Sequence, residues 1–234
     1  METLGGIFVV LFLVACVFLV IFLRGKDKKL ATARAEMASL RGWRYSAGGG
    51  ARLAYNVEGE GGGGSWRVEC RWGKKNSRGW TKFTCREAAT GGGVVAICAA
   101  DMAGMFKSPI GRTIAGWAMA LGGAMGMETG PMQRLMEHFV EVEPGGAAFK
   151  ERFAVLATDE SAAKRAVTAG SCEALMSYAP ATTGGRITAR SLSIIWSEEG
   201  MVITQNNELY SPQSLASFIE LGITLAKESR GGGW

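Results

Sequence analysis

His138 is the only imidazole in this 234-residue chain. Histidine-dependent hydrolysis needs a nucleophile within reach of the ring and a third group to orient it. Nothing at a recognisable spacing supplies either, so no catalytic residue is assigned. The five cysteines are Cys16, Cys70, Cys85, Cys98 and Cys172. Cys16 lies in an apolar run described below, and the other four lack the spacing of zinc ligands and read as small buried thiols of a reducing compartment. Gly59-x-Gly61-x-x-Gly64 matches a dinucleotide fingerprint in form only, because it precedes a strand pattern rather than a helix. With no phosphate loop, calcium loop or compact carboxylate motif, neither a cofactor nor a metal is expected.

The strongest chemical feature is a charge cluster. Arg67, Arg71, Lys74, Lys75, Arg78, Lys82 and Arg86 fall close together, with Trp66, Trp72 and Trp80 interleaved. Tryptophan beside Lys and Arg suits a membrane interface, where the ring is half wet and the cations meet anionic headgroups. The same composition is compatible with nucleic acid, a less economical partner for a tethered chain. It is also compatible with an ordinary solvated face.

The elements that position this cluster are legible. Ser65–Trp72 alternates without a break, Trp66, Val68, Cys70 and Trp72 on one side and Ser65, Arg67, Glu69 and Arg71 on the other. That is the pattern of a half-buried antiparallel strand. Lys74–Gly79 reads as a turn and Trp80–Arg86 as the partner strand. Val94–Ala99 reads as a buried strand, and Arg52–Val57 as a weaker one. Residues 26–41 contain no glycine, are rich in good helix formers and end at Gly42, which predicts a helix.

Further on, Arg152–Ala157 predicts a strand, and Asp159 is placed to cap a helix running to about Tyr178, before Pro180. Leu192–Trp196 and Met201–Thr204 flank a turn and predict a hairpin. Ser211-Pro212 is a helix start. Leu215, Phe218, Ile219, Gly222, Ile223 and Ala226 then recur at helical spacing and predict the buried stripe. Pro131 opens a short amphipathic helix with Met132, Leu135, Met136 and Phe139 on one face. Ile114–Met127 is apolar all round but too short to span a bilayer. It fits a buried helix or hydrophobic loop, a membrane-interface helix, or a self-association face with Gly122 and Gly126 four apart. The expected fold is α+β, a mainly antiparallel sheet covered by helices on one side.

Ahead of all this, Leu4–Leu23 is an uncharged, almost wholly apolar run, long enough at about 1.5 Å per residue to cross a bilayer core of roughly 30 Å. Arg24, Lys26, Lys28, Lys29 and Arg34 follow it and only Glu2 precedes it, so the N-terminus is expected outside and the remainder in the cytoplasm. Leu13-Val14-Ala15-Cys16 resembles a lipoprotein box, but the apolar run continues past Cys16 to Leu23. The expected organisation is an anchor over 1–23, a helical stalk over 24–42, an α+β domain over 43–230 and a short tail over 231–234. The overall charge of +5 conceals an asymmetry. Residues 24–86 are strongly basic and residues 87–234 mildly acidic, which favours contact between the tethered part and anionic lipid.

The stretch Ala148-Phe149-Lys150-Glu151-Arg152-Phe153-Ala154-Val155, the helix after Asp159, and the hairpin ending Trp196…Gly200-Met201 resemble a family of bacterial membrane-anchored proteins known only as a domain of unknown function. Leu40-Arg41-Gly42-Trp43-Arg44-Tyr45 is similar to the opening of such domains. The resemblance implies a bacterial inner-membrane setting and carries over no catalytic residue. The expectation is a single-pass inner-membrane protein with a non-catalytic binding or scaffold domain. Its partners would be membrane lipid and an unidentified protein, with self-association as a further possibility. The alternative is a membrane-surface sensor that binds anionic lipid or a small ligand.

Overall fold

The computed structural model describes residues 27–49, 52–73, 79–107, 130–178 and 192–231. The apolar run 4–23, the segment Ile114–Met127, and Lys74, Lys75 and Arg78 lie outside them. Among the described residues no helix is long and apolar enough to cross a membrane.

Nine strands are present among the described residues: β1 (Arg44–Ala47), β2 (Leu53–Gly61), β3 (Gly64–Arg71), β4 (Trp80–Cys85), β5 (Val95–Ala99), β6 (Val140–Val142), β7 (Phe153–Ala157), β8 (Leu192–Ser197) and β9 (Gly200–Gln205). The helices are α1 (27–40), α2 (Ala100–Lys107), α3 (Gly130–Glu137), α4 (Ala147–Lys150), α5 (Glu160–Ala166), α6 (Ala169–Ser177) and α7 (Pro212–Gly231). The strands form one sheet in the order β1-β2-β3-β4-β9-β8-β5-β7-β6, and every pairing is antiparallel. The C-terminal hairpin β8–β9 is thus inserted between β4 and β5 and joins two halves that are separate in the chain.

The glycine fingerprint is a hairpin. Gly61 pairs with Gly64, and Gly62 and Gly63 between them have φ of +62° and +87°. A two-residue turn with both residues left-handed matches the twist of the flanking strands and strongly favours glycine.

One face of the sheet carries the main core, built from Tyr55, Val57, Trp66, Val68, Phe83, Ile97, Val155, Ile194, Trp196 and Ile203. Helices α1, α4, α5, α6 and α7 contribute to it through Met37 and Ala38, Phe149, Ala162 and Ala163, Leu175, and Leu215, Phe218 and Ile219. Helices lie on the other face too. Ala96, Cys98, Ala154 and Leu156 form a second cluster there with Ala103 of α2 and Leu135 of α3. The expectation of helices on one side therefore holds only for the β1–β4 and β9 half. Strands β5 and β7 are uniformly buried because both their faces are covered.

Three further expectations are corrected. β3 ends at Arg71, and Trp72 lies beyond it, 42% exposed rather than in the core. The helix expected from Asp159 to Tyr178 is two helices. Thr168 interrupts it by accepting a hydrogen bond from Ser171 N–H (3.1 Å) and capping α6. Finally, α1 is not a free stalk, since Arg34, Met37 and Ala38 are buried beneath the sheet.

Asp159 is the N-cap expected, its Oδ1 accepting from Ser161 Oγ (2.5 Å) and Ala162 N–H (2.9 Å). These two bonds hold its carboxyl below the usual aspartate range. Asp159→Ala is expected to destabilise the protein by about 1 kcal/mol near neutral pH. A depressed carboxyl stabilises above the unfolded pKa and loses that contribution as pH falls through the folded value. The wild-type advantage should therefore shrink below about pH 4, as urea midpoints at stepped pH would report.

Candidate functional site

Over β1, β2, β3, β4 and β9 the face opposite the main core has no helix on it among the described residues. The pairing register fixes which side chains line it. Arg44, Glu58, Arg67, Thr84 and Val202 lie opposite one another in one row across the strands, and Ser46, Asn56, Glu69, Lys82 and Thr204 in the next. Because side chains alternate along each strand, both rows project to this face.

The rows are laced by ion pairs. Glu58 Oε2 is 3.4 Å from Arg44 Nη2, and its Oε1 is 3.7 Å from Arg67 Nε. Glu69 bridges Arg67 (3.2 Å) and Arg71 (3.4 Å) along its own strand. Asn56 joins both systems, donating from Nδ2 to Glu58 (3.0 Å) and accepting from Arg67 Nε (3.2 Å). Each pair is half-exposed and contributes only up to about 1 kcal/mol, but together they set the sign of the surface. The face stays net positive, but its arginines are partnered by Glu58 and Glu69 instead of standing as a free cationic patch.

This changes the reading of the basic cluster. Arg67, Arg71 and Lys82 do share the outer face, as the alternation requires. Arg67 and Arg71 are partnered by Glu58 and Glu69. Trp66 points the other way, into the core, stacked on Phe83 with ring centroids 5.8 Å apart. Trp80 stays on the outer face, with Arg71 Cζ 5.2 Å and Lys82 Nζ 5.9 Å from its ring centroid. The alternation already places Glu69 beside Arg67 and Arg71; the residues missed from sequence are Arg44, Asn56 and Glu58. Their signal is the alternation Asn56-Val57-Glu58-Gly59-Glu60, which places the carboxylates beside the arginines once β2 is paired with β3.

An open groove of about 1120 Å³ runs along the end of this face away from Trp80, bordered by Arg41, Arg44, Glu60, Arg67, Arg86 and Glu199. Its rim mixes both charges, which suits a polar macromolecular surface of mixed sign better than a simple anion.

His138 is exposed in the turn after α3, where its backbone N–H closes the helix on Arg134 O (3.3 Å). Among the described residues no group of three or more His, Cys, Asp or Glu side chains is placed to hold a metal. Cys70, Cys85, Cys98 and Cys172 are unbridged and buried. Burial pushes the Cys98 and Cys172 thiols up to about 11 and raises Cys70 and Cys85 as well. The thiolate is the reacting species. Iodoacetamide at pH 7.5 should therefore modify these four cysteines in the folded protein far more slowly than in urea, as mass spectrometry of quenched time points would measure.

No protein-family model matches the chain, and a search of curated proteins found no match.

Proposed function

We propose that this is a single-pass protein of a bacterial inner membrane whose cytoplasmic α+β domain is a non-catalytic binding or scaffold module. One observation carries the reading. Strands β5 and β7 are covered on both faces, while β1–β4 and β9 leave one face with no helix over it among the described residues, polar and cross-linked by ion pairs among Arg44, Glu58, Arg67, Glu69 and Arg71. Fixed charges of alternating sign on a rigid sheet give specificity for a complementary partner more than raw affinity. A second reading, contact with an anionic ligand, is favoured at one point only, where Arg71 and Lys82 approach the Trp80 ring.

Photo-crosslinking tests the binding role. A benzophenone amino acid at Thr84 or Val202, at the centre of the bare face, in the full-length chain in cells should give discrete adducts. The same probe at Glu173, exposed on α6 on the core side of the sheet, should not. Arg67→Glu should remove the adducts by placing like charge beside Glu58 and Glu69. Absence of adducts at both positions would overturn the role given to this face. Topology is read separately: a reporter enzyme active only in the periplasm, fused after Trp234, should be silent.

A further inference from the structure

Two contacts give the direction of α1. Arg34, in its middle, places its guanidinium 4.6 Å from the centroid of Tyr55, near the start of β2. Trp43, just past its C-terminal end, lies edge-on to Trp66 at 5.3 Å and against Gly59, near the end of β2. Helix and strand therefore run the same way, and the N-terminal end of α1 points beyond the start of β2. Residue 27 is about 10 Å of helix upstream of Arg34. Residues 27–29 are exposed, as expected of a turn projecting past the sheet.

The register identifies what else lies at that end. Leu53 pairs with Arg71, and Arg71 with Trp80. The segment after β9 returns there, because Tyr55 Oη donates to Leu209 O (2.5 Å) and Thr81 Oγ1 donates to Asn207 O (3.0 Å). Trp72 N–H donates to Arg52 O (2.8 Å).

At this end Trp72 and Tyr210, two of the few large apolar side chains left exposed (42% and 40%), face each other with ring centroids 5.7 Å apart. Glu208 clasps them: Oε1 accepts from Gly73 N–H (2.9 Å) and Oε2 from Tyr210 Oη (2.8 Å). A Cβ on Gly79 would meet Glu208 Oε1 at 2.0 Å and Arg71 O at 2.3 Å, so the clasp requires glycine at that position. Lys28, Lys29, Arg52 and Arg71 are exposed at the same end. A pair of part-exposed aromatics with four cations at the same end, and the Glu208 and Asp27 carboxylates among them, has the aromatic–basic composition of a membrane–water interface.

We infer that this end of the sheet, with Trp72 and Tyr210 at its centre, rests on the anionic headgroup surface of the bilayer from which the chain's own apolar segment emerges. The inference rests on the tether proposed above, and it replaces the outer face by the sheet's end as the lipid contact. Residues 24–26 are all that separate Leu23 from α1. Since α1 is pinned beneath the sheet by Arg34, Met37 and Ala38, the described helix moves with the sheet and does not separate it from the bilayer. The same arrangement leaves the bare face and its groove standing roughly along the membrane normal, open to a cytoplasmic partner.

The test uses the full-length chain reconstituted in phosphatidylcholine vesicles with and without phosphatidylglycerol, with acyl chains brominated near the headgroup or unbrominated. The difference in emission between wild type and Trp72→Phe isolates Trp72. In anionic vesicles bromination should quench this difference, and quench it less in neutral vesicles. The corresponding Trp43→Phe difference, from the far end of the sheet, should be unaffected. Unquenched Trp72 in a chain that resists carbonate extraction would overturn the inference and leave the tether standing. A chain extracted by carbonate would remove the tether, and the inference with it. Trp72→Phe should leave the thermal midpoint unchanged, so that a quenching difference is not a folding difference.

Discussion

Trp196→Ala is expected to lower stability by about 3–5 kcal/mol, the range for truncating a large aromatic in a packed interior. Trp196 is fully buried on β8, opposite Met201 of β9 and Val95 of β5. It therefore stands where the C-terminal hairpin joins the two halves of the sheet. For a domain of this size the loss corresponds to a fall of roughly 10 °C in Tm. Its indole Nε1 meets no acceptor among the described residues. Trp196→Phe keeps most of the ring and sheds that unpaired donor, so its cost is expected to stay below about 1.5 kcal/mol. Calorimetry of the two variants decides the matter. If phenylalanine is as harmful as alanine, then the site needs the full width of the indole and a six-membered ring does not fill it.

Gly222→Leu is expected to destabilise by about 3 kcal/mol or more, and Gly222→Ala by about 1 kcal/mol. The sign for alanine is a contest. Replacing glycine inside a helix returns about 1 kcal/mol of propensity. Against this, a Cβ on Gly222 would lie 2.5 Å from Cδ2 and Cε2 of Phe83. Phe83 is fully buried and stacked on Trp66 at an interplanar angle of 18°, so it has nowhere to retreat. Overpacking of this kind costs about 1–3 kcal/mol and outweighs the propensity gain. Urea midpoints at unchanged m-value would measure it. A stabilising Gly222→Ala would mean that α7 can lift away from β4 without penalty. Lys82 and Thr84 flank Phe83 on β4 and project from the opposite face. Leucine at 222 is therefore also expected to weaken the crosslinks at Thr84.

The sequence by itself determined whatever depends on neighbours a few residues apart. The alternation of Ser65–Arg71 gave β3 and its two faces, Asp159 and Ser211-Pro212 marked helix starts, and Leu215, Phe218, Ile219, Gly222 and Ala226 marked the buried stripe of α7. These are consequences of periods of 2 and 3.6 residues and of backbone groups left unsatisfied at helix ends, both visible in any short window. The nine-residue length of β2 and the short edge strands β1 and β6 carry weaker patterns and emerge only through pairing. Tertiary structure alone decided that β8–β9 enters between β4 and β5, because that placement depends on burying the faces of strands more than a hundred residues apart. It also decided that helices cover both faces at β5 and β7, and that α1 is docked rather than free. Above all it decided the charge of the candidate surface. Arg67 and Glu58 are close only because β2 and β3 pair in one register. A count of basic residues along the chain describes a cationic hairpin, and folding turns it into a face whose arginines are partnered by Glu58 and Glu69, with an exposed aromatic–basic patch at its end.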